Sequence, residues 1–115
     1  MNRHRLEHTA REVLPFVEPE RFDMTEWQCG STACAFGHEC LSPFGKENGL
    51  RLVMSAPGWF RPTFDNEDGY KAVVAYYEIS QTEARWIFSR LQYESPNPRP
   101  AEVAERIESL LACNP

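Results

Sequence analysis

The sequence lacks any long apolar run. The longest one, Ala72 to Tyr77, is far shorter than the roughly 20 residues that an α-helix needs to span a bilayer. Residues 1–8 contain basic residues but no apolar stretch of the kind found in secretory signals. We therefore expect a cytoplasmic protein with no membrane partner, in which reducing conditions keep the four cysteines as thiols.

The sequence also lacks the common catalytic and cofactor-binding motifs. It has no glycine-rich phosphate-binding loop, no dinucleotide fingerprint and no paired catalytic carboxylates. It contains no Cys-x-x-Cys pair, which structural zinc sites normally show. These absences favour a protein that is not an enzyme and that holds no cofactor, with zinc as the one alternative to weigh.

Cations are few relative to acids. Twelve Lys and Arg stand against 17 Asp and Glu, which gives a net charge of −5. Because affinity for phosphates comes mainly from Lys and Arg, this balance disfavours a nucleic acid as the partner. The first eleven residues, with Arg3, Arg5 and Arg11 against Glu7, are the basic exception.

What is present is an ordinary globular composition, with 42% hydrophobic and 25% charged residues. The length of 115 residues predicts a single globular domain over 1–115. Helical spacing of apolar residues and capping signals predict a mainly α fold, α+β at most, with a small bundle of about five helices. We place these helices at about 3–14, 31–41, 68–77, 81–91 and 100–111.

A short β-hairpin near 50–64 is the one predicted β element. Residues 50–54 alternate like a strand, 59–64 form a second candidate, and Ala56-Pro57-Gly58 is a turn signal between them. Since proline cannot donate to a sheet ladder, Pro62 predicts that the second strand lies at an edge.

Three cysteines and a histidine crowd into twelve residues. Cys34 and His38 lie four apart on a predicted helix, and Cys29 can fold back towards them, whereas Cys40 points elsewhere. This predicts Cys29, Cys34 and His38 as ligands if a zinc site exists, but it leaves no fourth ligand. The alternatives are thiols packed as small apolar side chains and a reactive thiol with His38 as its base.

The same stretch carries a family resemblance. Residues 27–38, with Trp27, Cys29-Gly30, Cys34 and Gly37-His38, resemble an uncharacterised family of small phage and bacterial proteins. The likeness continues through Gly49-Leu50 and residues 76–80 to 100–111. It implies a phage or mobile-element context, hence the host cytoplasm, and no particular activity. In that family the position of His38 is often Trp.

Two binding functions follow. A non-catalytic protein-binding module, directed at a host or defence protein, is the first, and its candidate contact residues are the aromatics Trp59, Phe60, Trp86 and Tyr93. The alternative is a helix-turn-helix DNA-binding regulator, built from the helices at about 68–77 and 81–91, which would place Gln81, Thr82 and Arg85 in the major groove. A small zinc-binding or thiol-reactive protein is the third hypothesis.

Overall fold

The computed structural model describes residues 1–114, which form six α-helices and five β-strands. The helices are α1 (Arg3–His8), α2 (Ala35–Leu41), α3 (Pro43–Glu47), α4 (Tyr70–Tyr77), α5 (Gln81–Phe88) and α6 (Pro100–Cys113). The strands are β1 (Gln28–Cys29), β2 (Thr32–Ala33), β3 (Arg51–Ala56), β4 (Trp59–Phe64) and β5 (Glu67–Asp68). None of the helices in this range combines the length and apolar composition needed to cross a membrane.

The predicted fold class, a mainly α bundle, is wrong, because the strands join one antiparallel sheet and the fold is α+β. The order is β2-β1-β4-β3, and β5 pairs with β4. The predicted hairpin is present as β3 and β4, and it forms the centre on which three two-residue strands assemble. Strands of two residues are too short to show alternation in the sequence, which is why they escape periodicity analysis.

Pro62 does not mark a sheet edge. Strand β4 is central, and Pro62 lies opposite Leu52 of β3. The Pro62 carbonyl accepts from the Gly69 amide at 3.1 Å rather than from β3. Its backbone therefore points away from β3, to the side on which β1 and β5 pair with β4, so the missing N–H removes no hydrogen bond from the β3–β4 ladder. A proline can occupy a central strand at such a position.

The second predicted helix begins four residues late. Gly30 (φ +57°) and Ser31 are the two-residue turn between β1 and β2, and α2 begins only at Ala35. The N-cap of α2 is Cys34, whose Sγ accepts from the Gly37 amide at 3.4 Å, rather than the Ser31 or Thr32 that capping preference would favour. Gly-Ser between two short strands is a hairpin signal that the helical interpretation passed over.

The other predicted helices lie close to their expected places, whereas α3 is an additional helix that was not predicted. The first predicted helix is α1, which continues as a π-helical segment at Thr9–Val13 and ends in a 3₁₀ turn at Leu14–Phe16. A capping box of Ser80 and Glu83 begins α5, and the predicted start of the last helix at Pro100 is confirmed. Asp65 and Asn66, both with positive φ, form the two-residue hairpin turn between β4 and β5.

The core centres on α2, which the other layers surround. Phe36 is fully buried and meets the rings of Tyr76, Tyr77 and Phe88 edge-on at 5.6–6.0 Å. Leu6 of α1 and Ile107 of α6 are buried in the same cluster. This packing holds α2 and α3 against one face of the sheet. A groove remains between this helix pair and the sheet.

Candidate functional site

The three predicted zinc ligands do not come together. Cys29 lies half-buried on β1, and Cys34 is buried at the start of α2. The Nε2–H of His38 donates to the Arg21 carbonyl at 2.8 Å, and its ring stacks on Phe22. Within residues 1–114 no group of three His, Cys, Asp or Glu side chains has the geometry to hold a metal ion.

The same side chains are poorly placed for thiol chemistry. Burial raises the pKa of the Cys34 thiol to about 11, and burial lowers the pKa of His38 below its usual value. A nucleophilic cysteine needs the opposite, a depressed thiol pKa beside a base that accepts its proton. What Cys34 does is cap a helix and fill the core.

This arrangement predicts the order of alkylation. We expect iodoacetamide at pH 8 to modify the exposed Cys113 first and the half-buried Cys29 more slowly, while Cys34 and Cys40 stay intact. A thiol of pKa about 11 is only about 0.1% thiolate at pH 8. Peptide mass spectrometry measures the rates, with all four cysteines reacting in urea as the control. Alkylation of folded Cys34 at the rate of Cys113 would contradict this account.

A buried polar network is the first feature that sequence reasoning missed. The Glu39 side chain is fully buried on α2, and its carboxylate accepts from Tyr76 at 2.6 Å, from Thr9 at 2.9 Å and from His8 Nδ1 at 2.8 Å. The Tyr77 hydroxyl bonds Thr9 Oγ1 at 2.6 Å. The sequence signal for this network is the position of Glu39, three residues after Phe36 on the apolar face of α2. An acid on that face is buried and needs hydrogen-bond partners.

The network ties three helical segments together. Glu39 belongs to α2, its tyrosine partner to α4, and His8 with Thr9 to the N-terminal helical segment. His8 also stacks on Phe44 at 4.0 Å, which fixes its ring. Because the buried side-chain nitrogen and oxygen atoms of the described residues all have hydrogen-bond partners, the network specifies how the helices dock.

An open groove lies between the sheet and the α2–α3 pair. Its volume is about 550 Å³. Most of its wall is apolar, two cations stand on its rim, and one amide side chain completes the lining. The apolar residues are Cys40, Leu41, Leu50, Leu52 and Phe60, the cations are Lys46 and Arg51, and the amide is Gln28.

The apolar surface continues from the groove onto the hairpin. Leu41 at the rim is 41% exposed, and Met54, which lies opposite Phe60 on the groove face of the sheet, is 58% exposed. On the other face Val53 is 40% exposed and Trp59 is 49% exposed. Exposed apolar side chains that cluster, as Leu41 and Met54 do beside the groove, mark interaction sites more often than isolated ones do.

The groove is locally cationic although the chain is acidic. The guanidinium of Arg51 is held by the carbonyls of Lys46 at 3.1 Å and Leu50 at 2.8 Å. Within residues 1–114 neither Lys46 nor Arg51 forms an ion pair, and no acid lines the groove. These two charges are therefore available to an anionic partner group.

The four predicted contact aromatics lie in three separate places. Phe60 lines the groove, whereas its neighbour Trp59 faces the opposite side of the sheet, beside Cys29. Trp86 and Tyr93 lie elsewhere and hold Arg106 between them, 5.0 and 3.7 Å from their ring centroids. The Arg106 side chain already fills the space between the two rings, so that pair serves the packing of α5 on α6.

The helices of the proposed helix-turn-helix are present as α4 and α5. Glu78 occupies the left-handed turn position between them, with φ +55°. Arg85, one of the expected base contacts, lies over the Tyr70 ring at 5.2 Å. The exposed start of α5 offers Gln81 and Thr82 without a cation of its own. This geometry supplies a helix pair but little of the positive surface that DNA binding requires.

Comparisons with known proteins do not assign this surface. No family model, no curated protein and no solved structure matches the chain significantly. The function must therefore be inferred from the geometry and from the sequence itself.

Proposed function

We propose that the chain is a non-catalytic protein-binding module that holds a partner protein against the groove. One observation carries the proposal: an open, mainly apolar groove of about 550 Å³ continues into exposed Leu41 and Met54. Apolar groups left in water gain free energy when a partner covers them. The resemblance to phage proteins makes a host or defence protein the proposed partner.

The charges on the rim support a protein partner over a nucleic acid. Lys46 and Arg51 would orient an acidic group of the partner, while the apolar wall supplies the affinity. A protein surface that binds nucleic acid instead needs several cations distributed along the path of the phosphate backbone. Two cations beside an apolar groove fit a peptide better.

The test compares a groove variant with a matched surface variant. Met54→Asp places a carboxylate in the proposed contact, and Leu91→Asp makes the same change at a residue that is 76% exposed and outside the groove. We expect proteins that wild type captures from host lysate to be captured equally by Leu91→Asp and at least about tenfold less by Met54→Asp.

Circular dichroism must first show that both variants keep the wild-type fold. Capture that Met54→Asp leaves intact would reject the groove as the contact surface. Capture that Leu91→Asp alone abolishes would place the contact at the turn Arg90–Gln92 instead.

A further inference from the structure

We propose that the partner binds as an extended strand that pairs with the free edge of β3 and carries an acidic residue to Lys46 and Arg51. This inference rests on the proposed function and names the kind of segment that the groove accepts. The proposed occupant of the groove is a segment of a partner protein. The test below distinguishes it from any other occupant.

The first support is the open edge of the sheet. Strand β3 is the last strand in the order β2-β1-β4-β3, so one of its edges has no neighbouring strand within residues 1–114. It spans six residues and contains neither proline nor lysine. Natural sheets usually protect such an edge with these residues or with a covering element. In β3 the bulge after Met54 and Arg51 at the start are the only such devices.

The second support is the direction in which the backbone N–H and C=O groups of β3 point. Since the Pro62 carbonyl points away from β3, Leu52 and Pro62 form a pair without ladder hydrogen bonds. In an antiparallel sheet these pairs alternate, so Leu52 and Met54 both turn their N–H and C=O groups to the free edge. An added strand would find two donors and two acceptors at the spacing of a regular ladder.

The third support is that the same two residues face the groove. Leu52 lines it, and Met54 shares that face of the sheet with Phe60. Side chains of an added strand point to alternate faces, so every second one would lie over the groove beside Leu41. Backbone pairing would supply affinity, and the groove would select apolar side chains at alternate positions.

The fourth support is charge, which also argues against a second copy of the chain as the occupant. The rim cations Lys46 and Arg51 have no acidic partner in the described residues. Strand β3 of another copy reads Arg-Leu-Val-Met-Ser-Ala and offers them no acid. Two copies, each with net charge −5, would also repel one another. An acidic residue beside alternating apolar ones satisfies both the rim and the groove.

The probe is a random dodecapeptide library displayed on phage, selected on the full chain. We expect enriched peptides to alternate apolar residues and to contain Asp or Glu. A synthetic copy of the best peptide is then N-methylated at one position at a time, and its affinity is measured by fluorescence anisotropy. Strand pairing predicts a loss of at least about tenfold at every second position and little change between them.

Protein variants complete the test. Met54→Asp should abolish binding, Leu91→Asp should leave it unchanged, and Lys46→Ala should weaken it about threefold to tenfold at low salt and less at high salt. A selected peptide with helical spacing, or with no alternation under N-methylation, would overturn strand pairing and keep the protein-binding function. Strand pairing would also be overturned if capture from lysate depended on Met54 but no selected peptide did.

Self-association is the remaining outcome. Sedimentation of the wild-type chain alone should show a monomer at micromolar concentration. A dimer that Met54→Asp dissociates would mean that a second copy occupies the edge, and it would overturn the proposed partner segment. If neither lysate capture nor peptide binding depends on Met54, the protein-binding function of the groove is itself rejected.

Discussion

Replacing Glu39 with alanine is expected to lower the free energy of unfolding by about 3–5 kcal/mol, because it removes the acceptor at the centre of a buried network. The carboxylate receives hydrogen bonds from Tyr76, Thr9 and His8 at 2.6–2.9 Å. Without it these donors stay buried and lose their partner, which costs more than the loss of the hydrogen bonds alone. Urea denaturation followed by circular dichroism measures the change.

The matched control is Glu105→Ala on the exposed face of α6. It makes the same chemical change in a helix, and we expect it to alter the free energy of unfolding by less than about 0.5 kcal/mol. Equal midpoints for the two variants would mean that the network adds nothing to stability. The docking of the three helical segments would then depend on apolar packing around Phe36 alone.

Gly37→Ala is expected to cost about 3 kcal/mol or more, for a steric reason. A Cβ at this position would lie 1.9 Å from the Trp27 carbonyl oxygen and 2.9 Å from the Ala33 Cβ. The backbone before β1 would therefore have to move away from α2. Intrinsic helix propensity favours alanine over glycine by about 1 kcal/mol, so the predicted sign is opposite to that of the local preference.

Gly30→Ala is the comparison for this glycine. A Cβ there meets nothing within 4 Å, and its only penalty is the positive φ of +57°, about 1–2 kcal/mol. Thermal unfolding of both variants should rank Gly37→Ala as the more damaging. A Gly37→Ala protein as stable as wild type would show that α2 and the segment before β1 are not in close contact, and the Gln28 end of the groove would then be misplaced.

The sequence predicted those elements whose signals are local. Ser80 with Glu83 is a complete capping box within four residues, and Pro100 suits the first turn of a helix. The β3–β4 hairpin carries its own turn signal at Pro57-Gly58. In each case the signal that predicts the element lies within the residues that form it.

The sheet as a whole could not be predicted in this way. Strands β1, β2 and β5 have two residues each. Strands β1 and β5 form because β4 offers them a partner, and β2 forms because β1 does. Gly30-Ser31 was interpreted as the start of a helix, since the helical signals of residues 33–41 lie directly after it. The choice between these interpretations is made by pairing with residues some thirty positions away, which no local pattern contains.

The candidate site shows the same division. Its aromatic member, Phe60, could be proposed from residue type alone. Leu41, Lys46 and Arg51 belong to three different elements, α2, α3 and β3, and only the tertiary arrangement places them around one groove. Glu39 was missed for a related reason, because its hydrogen-bond partners are 30 to 37 residues away in the chain.

The central claim is that the edge of β3 beside the groove is the binding surface, and amide hydrogen exchange measured by NMR tests it residue by residue. With the selected peptide bound, the amides of Leu52 and Met54 should exchange at least about tenfold more slowly, while that of Val53, which already faces β4, should change little. Unchanged exchange at Leu52 and Met54, with protection confined to α4 and α5 or to the surroundings of Trp86, would contradict the account.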